Sequence, residues 1–235
     1  MNKIISKTKN KIFYISPKKV KYCIFPSKYC DFTHFKLTKL HPHAGVNRGF
    51  FKENLSGNIK INISKWDNKP GPLFTKLLEF EALQNHYTGK ESWKKSKFAK
   101  RSIEYLKNNN QLNNPRTLKR DFKNYSDFLS KREKQIDELF NSILKKGIYP
   151  IDLSLASNKY KKLASKKINK IKNKNLYIDN ISVVLTKDKK LFFNNHGHHR
   201  LSIAKILKLK SVPVSIVVAK SKSILEKYVL SQKYI

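Results

Sequence analysis

Asn195-His196-Gly197-His198-His199-Arg200 is the stretch on which the reading of this chain turns. It stands between the apolar run Lys190-Leu191-Phe192-Phe193 and the helix-like Leu201-Ser202-Ile203-Ala204-Lys205-Ile206-Leu207. The run predicts a strand and the segment after the turn predicts a helix, so the glycine sits where one hands over to the other. At such a junction the first N–H groups of the helix have no intrahelical partner, and the positive end of the helix dipole favours an anion. Asn195 to Arg200 are therefore the candidate phosphate-binding residues. The competing reading is a structural turn whose arginine pairs with a carboxylate.

Working outward, Val212-Pro213-Val214-Ser215-Ile216-Val217-Val218 and Ile181-Ser182-Val183-Val184-Leu185 predict strands, the latter joined to Leu191–Phe193 by a polar hairpin turn at Lys187–Lys190. A helix is expected over Ser130–Lys146, with Ile136, Leu139, Phe140, Ile143 and Leu144 on one face, Gly147 just past its end and Pro150 beyond. Helices are also expected over Leu73–Tyr87, Ser96–Lys107, His199–Leu209 and Ser223–Ser231, and strands over Ile12–Ile15, Val20–Phe25 and Ile59–Ile63. Lys69-Pro70-Gly71-Pro72 reads as a break between elements. Residues 157–175, dense in Lys, Asn and Ser, read as an insertion or a lysine-coated helix. Strands and helices alternating in this way give an α/β (α+β) fold.

The 235 residues carry a formal charge of +35 with 39% hydrophobic content, enough to bury a core. A surplus of this size points to nucleic acid or an anionic surface. Yet 45 of the 51 basic residues are lysine, spread along the whole length, whereas dedicated nucleic-acid surfaces use arginine for bidentate contacts. Abundant Lys, Asn and Ile match the codon bias of an A/T-rich genome. Non-catalytic nucleic-acid binding is thus the alternative functional class. Cys23 and Cys30 fit no zinc spacing and are expected as reduced thiols, with a single disulfide as the other option. Met1–Ser16 has no apolar core of a signal peptide and no run reaches membrane-spanning length, so a cytoplasmic protein without membrane contact is expected.

Other residues compete for chemistry. Trp66-Asp67 after a strand offers a stacking face and a carboxylate, against the alternative of a core Trp with a turn-capping Asp. Asp137 and Glu138 on the long helix include a candidate general base, against a solvated flank; Trp93 reads as packing. The weak catalytic candidates are His198, Asp67 and Glu138. No metal site is expected: adjacent histidines seldom face one ion, no Cys or carboxylate lies near His196, His198 and His199 in sequence, and His41 and His43 are remote.

The succession Leu139–Ile151 (helix, then Gly147-Ile148-Tyr149-Pro150), strand hairpin, Gly197-His198-His199-Arg200, helix, Val212-Pro213-Val214 resembles the ParB/sulfiredoxin-like superfamily, whose mark is a Gly-x-x-Arg box opening a helix. The likeness spans residues 125–220. Trp66-Asp67 and Gly89 to Trp93 resemble elements of a group of uncharacterised proteins that carry this domain behind an N-terminal extension.

The resemblance implies a mixed sheet with flanking helices over 126–220, a strand and helical extension over 1–125 and a closing helix over 221–235. It also implies a box that cradles nucleotide phosphates, with ATP or CTP and Mg2+ as cofactors. His198 stands where sulfiredoxins need a cysteine, which excludes sulfinic acid reduction. The residues after Val218 are too few for the helix-turn-helix of a partition protein. His196 replaces the aspartate of the related small-molecule kinases, which removes a carboxylate that would help to hold Mg2+. The expectation is therefore a protein that binds a nucleotide or phosphorylated small molecule, with phosphotransfer as its chemistry.

Overall fold

The computed structural model describes residues 12–24, 30–31, 45–46, 53–54, 59–61, 63, 65–108, 124–149, 181–194 and 196–231. Among the described residues the strands are β1 Phe13–Ile15, β2 Val20–Ile24, β3 Cys30–Asp31, β4 Gly45–Val46, β5 Glu53–Asn54, β6 Lys60–Ile61, β7 Pro70–Leu73, β8 Ile181–Leu185, β9 Leu191–Phe193 and β10 Val212–Ala219. The helices are α1 Leu78–Tyr87, α2 Lys97–Asn108, α3 Tyr125–Lys146, α4 His198–Ile206 and α5 Lys222–Ser231. The fold is α/β, as the alternation of patterns predicts. Among the described residues no helix is long and apolar enough to cross a membrane. Asn195, His41, His43 and residues 157–175 lie outside the described residues.

One mixed sheet holds eight strands in the order β5-β6-β10-β8-β9-β2-β7, with β1 also on β10; β3 and β4 pair separately. β10 runs parallel to β8, while β8 and β9 form the antiparallel hairpin read from the sequence. The outer edge of β10 is shared: β1 runs antiparallel along Val212–Val214 and β6 parallel along Val218–Ala219. β1 and β2, close in sequence, therefore join different parts of the sheet, because β2 pairs with β9 and β7. Strands from both sides of residue 125 thus lie in one sheet.

β8 is central, and all five of its residues are buried, which explains a run of apolar residues without period-two alternation. Val183, Leu185 and Phe193 face a large core with Leu201, Ala204, Leu225 and Phe80 from the helices. Val184, Phe192, Ile24 and Val218 face the other way and are covered by Trp66. Burial of each such side chain contributes roughly 1.5–3 kcal/mol. A third cluster, Ala82, Leu83, Trp93, Phe98, Ala99 and Ile136, joins α1, α2 and α3. Trp93 is packing, as expected. Asn124 caps α3 by accepting from the Asp127 N–H at 2.9 Å, so the helix starts earlier than Ser130; Gly147 follows its end with φ +70°.

Two expectations are corrected here. Pro70-Gly71-Pro72 is not a break but most of β7, a strand at the sheet edge, where proline's missing N–H is tolerated. Gly71 permits it: a Cβ there would lie 2.6 Å from the Ile24 carbonyl oxygen. Because Leu73 is still paired with Tyr22, the helix expected from Leu73 begins only at Leu78, after a 3-10 turn over Phe74–Lys76.

Asp67 joins distant parts of the chain. Its carboxylate, fully shielded, accepts from the Lys187 N–H at 2.7 Å and pairs with Lys220 Nζ at 2.8 Å, tying the end of β10 and the β8–β9 turn to the segment that carries Trp66. The role is structural, but it is a long-range tie and not the capping of the next turn weighed from the sequence. Asp67→Ala takes the carboxylate away from a largely buried ammonium. The expected loss is about 3–5 kcal/mol in urea unfolding, partly recovered in Asp67→Ala combined with Lys220→Met.

Candidate functional site

The turn before α4 is held by backbone. The Asn194 N–H donates to the Ser182 carbonyl at 2.8 Å, and the Ser182 N–H donates to the His196 carbonyl at 3.0 Å. Asn194 Nδ2 donates to Ser182 Oγ at 3.1 Å. These bonds carry the β8–β9 pairing past the end of β9 and bring the chain back over the start of β8. Gly197 then takes φ +81°, a left-handed conformation that side chains resist. It also packs against β8 so closely that a Cβ would lie 2.7 Å from Ile181 Cα. Both constraints demand glycine at the residue preceding α4. The Leu201 N–H donates to the Gly197 carbonyl at 2.9 Å, and glycine brings no capping side chain to the helix start.

Sequence reading did not include Glu79, the residue that organises this turn. It lies in the first turn of α1 and is buried, with 4% of its side chain exposed. Its Oε1 is 2.6 Å from His199 Nε2 and 3.1 Å from His198 Nε2. The first turns of α1 and α4 therefore meet over one carboxylate, and the positive ends of both helix dipoles favour the anion. The premise that no carboxylate lies near the histidines holds along the sequence and fails in space. Glu79, His198 and His199 place one ligand-capable atom each within 4.8 Å of one another.

A signal for Glu79 was present. Glu79 shares a helix face with Ala82, Leu83 and His86, of which Ala82 and Leu83 are core, so an acid stands where the pattern asks for an apolar residue.

Arg132 approaches from α3, with Nη2 at 3.5 Å from His199 Nδ1 and 3.4 Å from Nε2. Near-equal distances to both ring nitrogens leave it aligned on neither lone pair, so it acts mainly as a neighbouring positive charge. Burial, opposed by Glu79 and assisted by His198 and Arg132, pulls the His199 pKa down to about 3, so its ring is neutral at pH 7. His198 is the more open of the two, with 30% of its side chain exposed against 15%. Arg200 is half-buried in the first turn of α4, and His196 is exposed.

The other candidates stand apart from this cluster. Asp67 is engaged with Lys220 and the Lys187 N–H. Glu138 is exposed on α3, the solvated-flank alternative. Its neighbour Asp137 bonds His86 Nε2 at 2.8 Å, and Glu133 accepts from Ser92 Oγ, which fastens α3 to the α1–α2 segment. Cys23 is a free, buried thiol with its pKa pushed up to about 12 by burial. Lys205 of α4 donates to the Pro17 carbonyl at 2.7 Å, and burial lowers its pKa to about 8.

The depressed His199 pKa makes stability fall in mild acid. Below about pH 6.5 the unfolded chain takes up a proton that the native ring refuses until about pH 3. Between those values the unfolded state binds more protons, so stability decreases as pH falls, by up to ~1.4 kcal/mol per pH unit. Urea unfolding at pH 7 and pH 5 is expected to show this loss, and His199→Asn to flatten it. Gly197→Ala, strained in φ and crowded by Ile181, is expected to cost more than ~1 kcal/mol in the same measurement. Comparison of the chain with protein-family models, with curated proteins and with solved structures returns no match in any of the three.

Proposed function

We propose that this chain binds a nucleotide or another phosphorylated small molecule at the His196–Arg200 turn, and that its chemistry is phosphoryl transfer. The observation that carries this reading is the meeting of two helix starts over the buried Glu79, with His198, His199 and Arg132 gathered around it. The start of α4 offers N–H groups and a positive dipole end, and Gly197, in its left-handed conformation against Ile181, sets where that helix starts. Arg200 and Arg132 supply guanidinium charge for phosphate oxygens, whose bidentate geometry they match.

Glu79 fixes the His198 ring, as a carboxylate orients a catalytic imidazole, so His198 is the residue of the cluster best presented to a bound ligand. Phosphoryl transfer asks mainly for positioning and for charge around the transferred group, which this arrangement is suited to provide. The order α3, β8–β9 hairpin, Gly-x-x-Arg turn, α4 and β10 supports the ParB/sulfiredoxin-like resemblance, and with it ATP or CTP as the ligand and Mg2+ as the accompanying ion. Non-catalytic binding of nucleic acid is separated from this reading by experiment.

A thermal-shift screen with ATP, ADP, CTP and GTP, with and without Mg2+, tests the proposal. A ligand at a hundredfold its Kd is expected to add about 2.7 kcal/mol of stability, and Arg200→Ala to abolish the shift. No shift with any nucleotide, or an equal shift in Arg200→Ala, would refute the phosphate cradle. Stabilisation by polynucleotide alone, lost steeply as salt rises, would favour the nucleic-acid class.

A further inference from the structure

We infer that Glu79, His198 and His199 form a binding site for a divalent transition-metal ion of the Zn2+ type, set beside the phosphate-binding turn. The inference rests on the same turn as the proposed function and adds to it a protein-held ion distinct from the Mg2+ that accompanies a nucleotide.

Geometry is the first support. Neighbouring residues on a helix point about 100° apart around its axis, so adjacent histidines normally diverge. Here both Nε2 atoms face one carboxylate oxygen, at 3.1 and 2.6 Å, and the three ligand-capable atoms lie within 4.8 Å of one another. Tetrahedral metal–ligand bonds of about 2.0–2.1 Å place ligand atoms roughly 3.3 Å apart. Small side-chain adjustments therefore separate the hydrogen-bonded arrangement from a coordinated one. Coordination takes each imidazole as its Nδ1–H tautomer, which leaves an Nε2 lone pair for the ion.

The donor set chooses the ion. Two imidazoles and one carboxylate match the three protein ligands of open zinc sites, which leave a fourth position for water or substrate. Mg2+ prefers an all-oxygen octahedron and is held poorly by nitrogen. Burial of Glu79 keeps the carboxylate from being satisfied by solvent, and a divalent cation compensates its charge directly.

Arg132 decides what else must be present. With its guanidinium next to His199, a divalent ion leaves the pocket with excess positive charge. An anion that bridges ion and guanidinium removes that excess. Metal and phosphate are therefore expected to strengthen each other's binding.

The test uses the full chain, stripped with a chelator and titrated with Co2+ alone, in the absence of any nucleotide. One Co2+ per chain is expected, with the visible absorption of a four- or five-coordinate nitrogen–oxygen site, displaced by Zn2+ and not by a tenfold excess of Mg2+. Glu79→Gln is expected to weaken binding at least tenfold while far-UV circular dichroism shows the fold retained. If that variant unfolds, His198→Asn, at the more exposed ligand, takes its place.

Absence of a visible spectrum, displacement by Mg2+, or unchanged Co2+ affinity in the folded variant would overturn the site. Added inorganic phosphate is expected to tighten Co2+ binding. Because Co2+ is first tested alone, failure here leaves the nucleotide screen standing, and failure of the nucleotide screen leaves the metal result standing.

Discussion

The buried carboxylate of Glu79, shared between His198 and His199, is the constraint around which the described structure is arranged. A carboxylate with 4% exposure is costly unless hydrogen-bonded, and its donors come from a helix 119 positions further along the chain. Two helix starts must meet for this to happen. Their meeting fixes α1 against α4, and α4 is placed in turn by the Gly197 contact with Ile181 at the start of the central strand. Remove the glycine and α4 cannot begin there; remove the carboxylate and two imidazoles lose the group that gathers them.

What was legible in the sequence follows from how local each signal is. The β8–β9 hairpin, α3 with Gly147 and the strand Val212–Ala219 could be read because each is written in consecutive residues. The turn at Gly197 was equally legible, since a glycine between an apolar run and a helical pattern has few other meanings. β7 was not, because Pro-Gly-Pro usually ends an element. It is a strand here only because it sits at an edge and lets the β2 backbone approach within the space a Cβ would fill. The strand order is also non-local: β2 beside β9 and β6 beside β10 are pairings no short window records.

The candidate site divides along the same line. Gly197, His198, His199 and Arg200 were found because they are adjacent, and the carboxylate that joins the histidines was missed because it is not. Asp67 shows the converse. Trp66-Asp67 stood out as a motif, yet the structure uses the Trp to cover one face of the sheet and the Asp to hold Lys220. A conspicuous local pattern was structural, while an inconspicuous glutamate on an apolar helix face was the organising residue of the site.

Charge composition makes the partners of these acids informative. With 51 Lys and Arg against 16 Asp and Glu, a carboxylate in this chain has cations to choose from almost anywhere. Asp67 takes a lysine, as such a composition favours, and Glu133 also has Lys94 close by. Glu79 instead meets two imidazoles. A lysine there would neutralise the carboxylate but would bring an ammonium into a buried site at a cost in desolvation. What imidazole offers and an ammonium does not is a nitrogen that is neutral at pH 7, able to carry a proton or to give a lone pair to a ligand. That chemistry stands where two helix starts meet beside Arg132, and this is what supports the proposed ligand site.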